Sequence, residues 1–406
     1  MDYDVVIVGG GLAGLYIAYK LPKHLNILLL EKRSLGGKIF TYKDTVMTVE
    51  AGAARFNDSH TLLKKLISEF NLSDQIVPID SDFIYKPTHG PVSDKMKHLL
   101  KKILKSNIPK TTSINFLQYA KKVLSEQDAI DFFYSFGYSA ELTIMNAKDV
   151  CNLMKDYMRE FYVLKGGLSQ IIECLKAKLK LKRVSIHFEE ALHVSQQENS
   201  FIVSTATKRY ECGTCVLAVP RNALEKFDVV PPDTLDFIQS SPLCRIYTEF
   251  VGNPKDFEQK FTTNNDLRMV IPMNEKIVMI YSDSGYATIW KHIFDTKGLH
   301  GINAELRRQF SQLGIKVHFK NTQLFYWPSG VGYWGLKANS KALEKAILQP
   351  DKKNRLFVCG ENYSSEKQQW MEGALETATK VIACITNPTK NKTIKKKKEK
   401  RIMSSF

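Results

Sequence analysis

Four consecutive apolar residues, Val5-Val6-Ile7-Val8, form the first hydrophobic run, and such a run suits a parallel strand buried on both faces. Glycines 9, 11 and 14 interrupt the pattern, after which Leu15-Tyr16-Ile17-Ala18-Tyr19 continues as a helix. Asn26-Ile27-Leu28-Leu29-Leu30-Glu31 reads as a second strand. Between 58 and 165 the periodicity turns mostly helical, with basic faces such as HLLKKILK (98–105) and NFLQYAKKVL (115–124). Residues 184–230 change to short alternating runs, RVSIHF, ALHVSQQ, SFIVSTA and RYECGTCVLAVP, which predict a β-meander. Further strands are expected at CRIYTEFVG, LRMVI and KIVMIY within 244–281, then a helix near 301–313. A strand and an aromatic loop follow, leading to RLFVCGE at 355–361. Ala374, Leu375, Ala378, Val381, Ile382 and Ile385 mark one apolar face of a last helix starting near Met371. No unit of 20–50 residues repeats, which excludes a solenoid. The expected class combines α/β with α+β, its parallel sheet assembled from distant pieces of chain.

Size and charge narrow this little. The chain has 406 residues, 44% of them hydrophobic, enough for a large core and two domains. The opening MDYDVVIVGGG has no basic stretch before its apolar run, so it does not read as a secretory signal. No segment offers the ~18 uninterrupted apolar residues of a membrane helix. A soluble, intracellular and cytoplasmic protein without a membrane partner is expected. The seven cysteines are scattered and mostly sit in apolar runs, which argues for reduced, buried thiols. Cys212-Gly213-Thr214-Cys215 has the spacing of a metal or redox pair, but no second pair accompanies it and Cys215 opens the apolar run CVLAVP. No metal is expected. The formal net charge is +16, and residues 389–406 concentrate eight Lys/Arg against Glu399. That tail is too polar to pack and is expected to be disordered. A nuclear-import signal, an arm for non-specific polyanion contact and a solubilising end all remain open for it.

The chemistry begins at the first glycine cluster. Gly9, Gly11 and Gly14 make a GxGxxG turn that follows a strand and opens a helix, and Glu31 lies 20 residues after Gly11. Glycines let backbone approach a pyrophosphate, and the helix amino terminus supplies N–H donors and positive potential. A carboxylate at Glu31 grips ribose hydroxyls, which favours FAD or NAD over NADP. The structural alternative is a glycine turn without a ligand.

The segment EKRSLGGKIFT (31–41) places a second glycine pair and Lys38 just after Glu31, and here the sequence resembles the flavin amine oxidase family. That family includes monoamine and polyamine oxidases, L-amino-acid oxidases and flavin histone demethylases. Lys38 stands where the family's GGR-type turn carries arginine. VEAGAARF (49–56), FYVLKGGLSQII (161–172), CVLAVPRNAL (215–224) and the closing GE…WMEGALETA (360–378) match further markers in order. The resemblance spans nearly the whole chain apart from the tail. It implies FAD in a Rossmann-like domain of the glutathione-reductase type, built from 1–57, 158–240 and 350–388. It also implies a mixed α+β substrate domain from 58–157 and 241–349. Cofactor contacts are expected from Gly9, Gly11, Leu12, Ala13, Gly14, Glu31, Lys32, Arg33, Gly37, Lys38, Gly52, Ala53, Ala54, Arg55, Gly360, Glu361, Trp370, Met371 and Ala374.

The resemblance further implies oxidation of an amine C–N bond, with hydride passing to flavin N5, imine hydrolysis and O2 ending as H2O2. Trp370, placed directly before MEGA in an otherwise polar run, matches one of two aromatic walls, and Tyr333 in FYWPSGVGYWGLKA is the candidate for the other. Both can alternatively be core aromatics. Gly332 stands where monoamine oxidases attach FAD through cysteine, so the flavin is expected to be non-covalent. Arg245 occupies the place of a lysine that holds water near flavin N5, and it does not readily lose its proton. Gln369 replaces a glycine whose carbonyl faces the substrate amine. Arg55 in GAARF resembles the arginine that clasps the carboxylate in L-amino-acid oxidases, while a salt bridge at the domain seam is its structural alternative. The expected partners are an amine or α-amino acid and O2. Two alternatives remain: a weakly catalytic flavoprotein scaffold acting through its basic tail, and a desaturase or protoporphyrinogen-oxidase-like enzyme.

Overall fold

The computed structural model describes residues 1–80, 82–86, 90–91, 93–107, 113–157, 159–351 and 354–386. The Lys-rich tail lies outside the described residues. The amino-terminal run becomes the strand Tyr3–Val8, and its alternate side chains point into different cores. Val5 and Ile7 join one cluster and Val6 and Val8 the other, all with 5% exposure or less. Burial on both faces is why the strand reads as continuous apolar sequence rather than as an alternation.

This strand pairs in parallel with Ile27–Leu30 on one side and Arg209–Leu217 on the other. Val184–His187 adds in parallel beyond Ile27–Leu30, and Leu356–Val358 pairs in parallel with the last residues of Arg209–Leu217. The first residues of that strand pair instead with Phe201–Ser204, which carries His193–Gln196, both antiparallel. RVSIHF therefore does not belong to the meander as expected. Its alternation of Val184 and Ile186 is the same for either pairing, and its partner at 27–30 is remote in sequence. The helices Leu12–Lys20, Ser169–Leu179 and Met371–Thr386 pack together over one face, through Leu15, Ile171, Leu175, Ala374 and Ala378. Cys212 and Cys215 lie fully buried within Arg209–Leu217, and among the described residues no group of three or more His, Cys, Asp or Glu is placed to hold a metal.

A second sheet is built around two long antiparallel strands, Ile238–Gly252 and Val317–Trp334, paired from Ile238–Trp334 to Gly252–Val317. Ile277–Asp283, Met269–Pro272, Phe261–Thr262, Ile84–Tyr85 and Gly90–Pro91 extend it. The stretch expected as an aromatic loop is thus mostly strand. Pro328 and Gly330 are turn signals, but Val317–Trp334 is an edge strand, where a residue without an N–H is tolerated. The helix expected near 301–313 begins much earlier, spanning Ser284–Gln312 with a break at Gly298 (φ 60°). It covers one face of the sheet through Trp290, Ile302, Leu306 and Phe310. Helices Phe116–Val123, Glu126–Phe136 and Ala147–Tyr157 form a further cluster. The first starts on a capping box of Asn115 and Gln118, and the second starts on Ser125 and stops at Gly137, whose φ of 84° suits glycine. Among the described residues no helix is long and apolar enough to cross a membrane.

The end of helix Leu12–Lys20 is held from outside. The Lys182 ammonium donates to the carbonyls of Ala18, Tyr19 and Leu21 at 2.7, 2.8 and 2.6 Å. A cation at a helix carboxyl terminus satisfies orphan carbonyls and complements the dipole. Lys182→Met is expected to lower stability by about 1–2 kcal/mol. An unchanged urea midpoint at unchanged slope would reject this role.

Candidate active site

Strands Tyr3–Val8, Ile27–Leu30, Arg209–Leu217 and Leu356–Val358 run in parallel, so the segments leaving their carboxyl ends gather on one edge. In such sheets that edge is where nucleotides bind. The glycines there do different work. Gly9 has φ 105°, and a Cβ on it would strike the Ala218 carbonyl, while a Cβ on Gly14 would strike the Gly9 carbonyl. These two are demanded by packing. At Gly11 a Cβ would meet nothing within 4 Å, and no side chain caps the helix that Gly11 opens. The uncovered amino terminus of Leu12–Lys20 is the part of the turn that suits phosphate oxygens.

Glu31 is fixed beside it. Its carboxylate accepts from the Gly10 N–H at 2.8 Å and the Arg33 N–H at 2.9 Å, leaving lone pairs for ribose hydroxyls. The side chains of Lys32 and Arg33 are exposed, and Lys32 lies 3.9 Å from Glu190. The second glycine pair packs onto the first turn: Gly36 N–H donates to the Gly10 carbonyl at 2.8 Å, and a Cβ on Gly37 (φ 58°) would lie 3.2 Å from Gly11 Cα. Lys38 follows and ion-pairs with Glu361 at 2.5 Å, while also donating to the Gly330 carbonyl at 2.9 Å. Glu361 further accepts from the Gln369 N–H at 3.0 Å and from the Asn362 amide at 2.7 Å. Lys38, Gly330, Glu361 and Gln369 are thereby joined at one point. A side chain at Gly332 would strike the Asn362 amide, so that position is filled from the neighbouring segment. These residues fit a dinucleotide: an open helix terminus, an oriented carboxylate and a lysine beside them.

The loop at 50–54 is clamped by the second sheet. The Glu50 carbonyl accepts from Arg245 Nη1 at 2.8 Å and from the Tyr247 hydroxyl at 2.7 Å, and Trp327 Nε1 donates to the Ala51 carbonyl at 2.6 Å. A Cβ on Gly52 would strike the Lys38 carbonyl, and Ala53 N–H donates to that same carbonyl at 2.8 Å. The Glu50 carboxylate accepts from Leu168 N–H at 2.6 Å; burial raises its pKa, against that hydrogen bond and the nearby Arg245 charge.

Arg55 leaves this loop into an aromatic surround. Its guanidinium carbon lies 4.6 Å from the Phe161 ring centre, 5.7 Å from Tyr138 and 5.9 Å from Trp370, and Nη2 donates to the Tyr138 hydroxyl at 3.0 Å. Trp370 is 8% exposed, stacks on Phe161 with centres 5.9 Å apart and tilts against His60 at 4.9 Å. Tyr138 meets Tyr281 edge-on at 5.3 Å, and Arg245 lies over Tyr281 at 4.9 Å. Burial raises the pKa of both tyrosines, so they are neutral hydroxyls at pH 7. Arg55, Trp370 and Arg245 thus belong to one connected wall. Tyr333 is 2% exposed and packs in the cluster of helices spanning 99–154.

The MEGA segment divides its tasks. Met371 and Ala374 are buried against helix Leu12–Lys20, and a Cβ on Gly373 would strike the Lys367 carbonyl. The Glu372 carboxylate accepts from Leu62 and Leu63 N–H at 2.8 and 2.9 Å, capping helix Thr61–Glu69. Gly360 (φ 142°) is tied to helix Met371–Thr386, its N–H donating to Thr377 Oγ1 at 3.0 Å. Sequence reasoning missed Tyr138, Phe161, Tyr247, Tyr281 and Trp327. Tyr247 had a usable signal, since it sits two residues from Arg245 and a strand brings such positions to one face; Phe161 and Trp327 lie inside FYVLKGGLSQII and FYWPSGVGYWGLKA but were not singled out there.

Gln369 has φ 74°, the left-handed region that disfavours residues with a Cβ. Gln369→Gly is expected to be more stable than Gln369→Ala by about 1 kcal/mol, because both lose the amide and only one relieves the backbone. Equal chemical-denaturation midpoints would contradict this.

The chain matches the model of the flavin-containing amine oxidoreductases over residues 12–386. An FAD-dependent oxidoreductase of Emericella nidulans is 43% identical over 72 residues, which is 17% of this chain and 15% of that protein. A solved putative protoporphyrinogen oxidase from Exiguobacterium sp. superposes with a TM-score of 0.74 at 17% identity, over 94% of this chain and 98% of that one. Cyclohexylamine oxidase from Brevibacterium oxydans gives 0.73 at 12% identity, over 96% and 100%. The structural likenesses carry the fold, and the family match carries the rest: the chain belongs to the flavin-containing amine oxidoreductases and is an FAD-dependent oxidoreductase.

Proposed function

We propose that this FAD enzyme oxidises the C–N bond of an α-amino acid or a closely related amine. The observation that carries the reading is Arg55, set among Phe161, Trp370 and Tyr138 and oriented by the Tyr138 hydroxyl. A guanidinium fork matches a carboxylate in shape and charge, and aromatic faces around it exclude water and flank an aliphatic α-carbon. FAD would be held by the Gly11 turn, Glu31, Lys38 and the loop at 52–55, and when bound it would supply two-electron redox chemistry with O2 as the final oxidant and H2O2 as the product. Arg55 binds and orients the substrate carboxylate, and Trp370 forms a wall beside the reacting carbon. Arg245 keeps its proton, so it holds the Glu50 carbonyl and contributes a fixed positive charge rather than acting as a base. The imine that leaves is hydrolysed by water to the oxo acid and ammonia. A desaturase-type reading calls for a broad apolar cavity, and the charged wall of Arg55 and Arg245 argues against it.

Holoenzyme mixed anaerobically with a panel of amino acids and diamines is expected to bleach with at least one amino acid and to release H2O2 when air is admitted. Failure of every amine to bleach stoichiometric flavin would overturn the proposal in favour of a scaffold. Arg55→Ala should raise KM for amino acids about 10–100-fold more than for their decarboxylated analogues; equal effects would remove the carboxylate role. Acid precipitation should leave flavin in the supernatant, and retention in the pellet would refute non-covalent binding.

A further inference from the structure

Arg245 has a neighbour across the sheet that the reaction above leaves unused. In the antiparallel pairing of Ile238–Gly252 with Ile277–Asp283, Arg245 lies opposite Tyr281. Cys244, Ile246, Val278 and Ile280 point to the other face, where Trp290, Ile302 and Leu306 of helix Ser284–Gln312 bury them. Arg245 and Tyr281 therefore stand on the face that meets the loop at 50–51. The Arg245 guanidinium carbon lies 4.9 Å from the Tyr281 ring centre, and Tyr138 supports the same ring edge-on at 5.3 Å and 79°.

The donors of Arg245 are only partly spent. Nη1 serves the Glu50 carbonyl at 2.8 Å and stands 3.5 Å from the Tyr247 hydroxyl. Nε and Nη2, which together make a second fork, donate to no described residue, and no carboxylate among the described residues pairs with Arg245. The Tyr281 hydroxyl likewise makes no hydrogen bond to a described residue. Both side chains are partly exposed rather than enclosed. Arg268 shows the contrast: it is 0% exposed, donates to the Thr263 and Phe133 carbonyls and packs among the rings of Phe133, Tyr134 and Tyr286. The acids around Arg245 are engaged elsewhere. The Glu50 carboxylate accepts from the Leu168 N–H at 2.6 Å and the Thr41 hydroxyl at 3.2 Å. Asp283 accepts from the Ser139 N–H at 3.0 Å, the Ser139 hydroxyl at 2.8 Å and the Ala140 N–H at 2.7 Å. A half-buried guanidinium with an unused fork bears a desolvation cost that an anion offsets, and a carboxylate matches the fork with two parallel N–H···O bonds.

From this pairing we infer that Arg245 and Tyr281 form a carboxylate-binding subsite separate from Arg55. The fork of Nε and Nη2 takes the two carboxylate oxygens, and the neutral Tyr281 hydroxyl donates to one of them. A lysine at 245 would present a compact ammonium without a fork. The second carboxylate of a substrate and a free monocarboxylate share this chemistry. The subsite stands apart from the amino-acid reading, which needs Arg55 for the α-carboxylate.

Benzoate and its neutral isostere benzamide, titrated calorimetrically into FAD-loaded Arg55→Ala protein, probe the subsite without the other arginine. Benzoate is expected to bind at least about tenfold more tightly than benzamide, the worth of a charge-assisted fork. Adding Tyr281→Phe should weaken benzoate by about three- to tenfold, the worth of one hydrogen bond. That change removes no hydrogen bond between described residues, so lost affinity is not lost structure. Adding Arg245→Gln should collapse the benzoate-to-benzamide ratio towards one. Equal affinity for benzoate and benzamide in Arg55→Ala protein would overturn the inference and leave the amino-acid reading standing, as would benzoate affinity unchanged by Tyr281→Phe. A benzoate preference that behaves as expected supports the subsite even if no amino acid bleaches the flavin, an outcome that sinks only the oxidation reading. In wild-type protein, adipate binding more tightly than benzoate, with that advantage lost in Arg55→Ala, assigns the subsite to a substrate's second carboxylate. Equal binding of adipate and benzoate assigns it to a free monocarboxylate.

Discussion

The strand Arg209–Leu217 is the piece on which the rest of the molecule depends. One edge of it takes the amino-terminal strand, and the other is shared between the antiparallel Phe201–Ser204 and the parallel Leu356–Val358. A single strand thus fixes where residues 9–14 and 360–374 emerge. The Gly11 turn and the helix beginning at Met371 face the same edge because both follow strands registered on it. Val216 and Leu217 are fully buried, so a slip of one residue would move their side chains to the wrong faces and displace both segments.

Much of this frame was legible in the sequence for a physical reason. A parallel strand buried on both faces must be continuously apolar, and Val5–Val8 and Ile27–Leu30 show it. The GxGxxG spacing to Glu31 and the small residues around Met371 report close backbone approaches that no other side chains would allow. The second sheet was less legible. Its long edge strand tolerates Pro328 and Gly330, which read as loop, and the helix of Ser284–Gln312 conceals a break at Gly298 inside an otherwise helical pattern. RVSIHF was assigned to the wrong partner because periodicity identifies a strand without saying what lies next to it.

The site divides in the same way. Residues in local motifs, such as Gly11, Glu31, Lys38, Arg55, Glu361 and Trp370, stood out as candidates from their neighbours. Residues whose relevance comes only from contact at a distance could not. Tyr138 lies 83 residues from Arg55, yet its hydroxyl sets the direction of the guanidinium. Lys38 and Glu361 are 323 residues apart, and each was visible from its own motif, but the ion pair between them was not. Arg245 was noticed as a departure in charge chemistry. Its observed position adds a mechanical task, because its hydrogen bond ends on the Glu50 carbonyl.

That clamp bears on how small molecules come and go. Arg245, Tyr247 and Trp327 reach across from the second sheet to two consecutive carbonyls at 50–51. Swinging the two lobes apart like a clamshell would break all three bonds together, each worth about 1 kcal/mol or more where a charge takes part. Turnover through such a motion would incur that cost in every cycle. Traffic through gaps between side chains leaves the clamp closed, so the rate of product escape should depend on local rotamer motion rather than on a hinge.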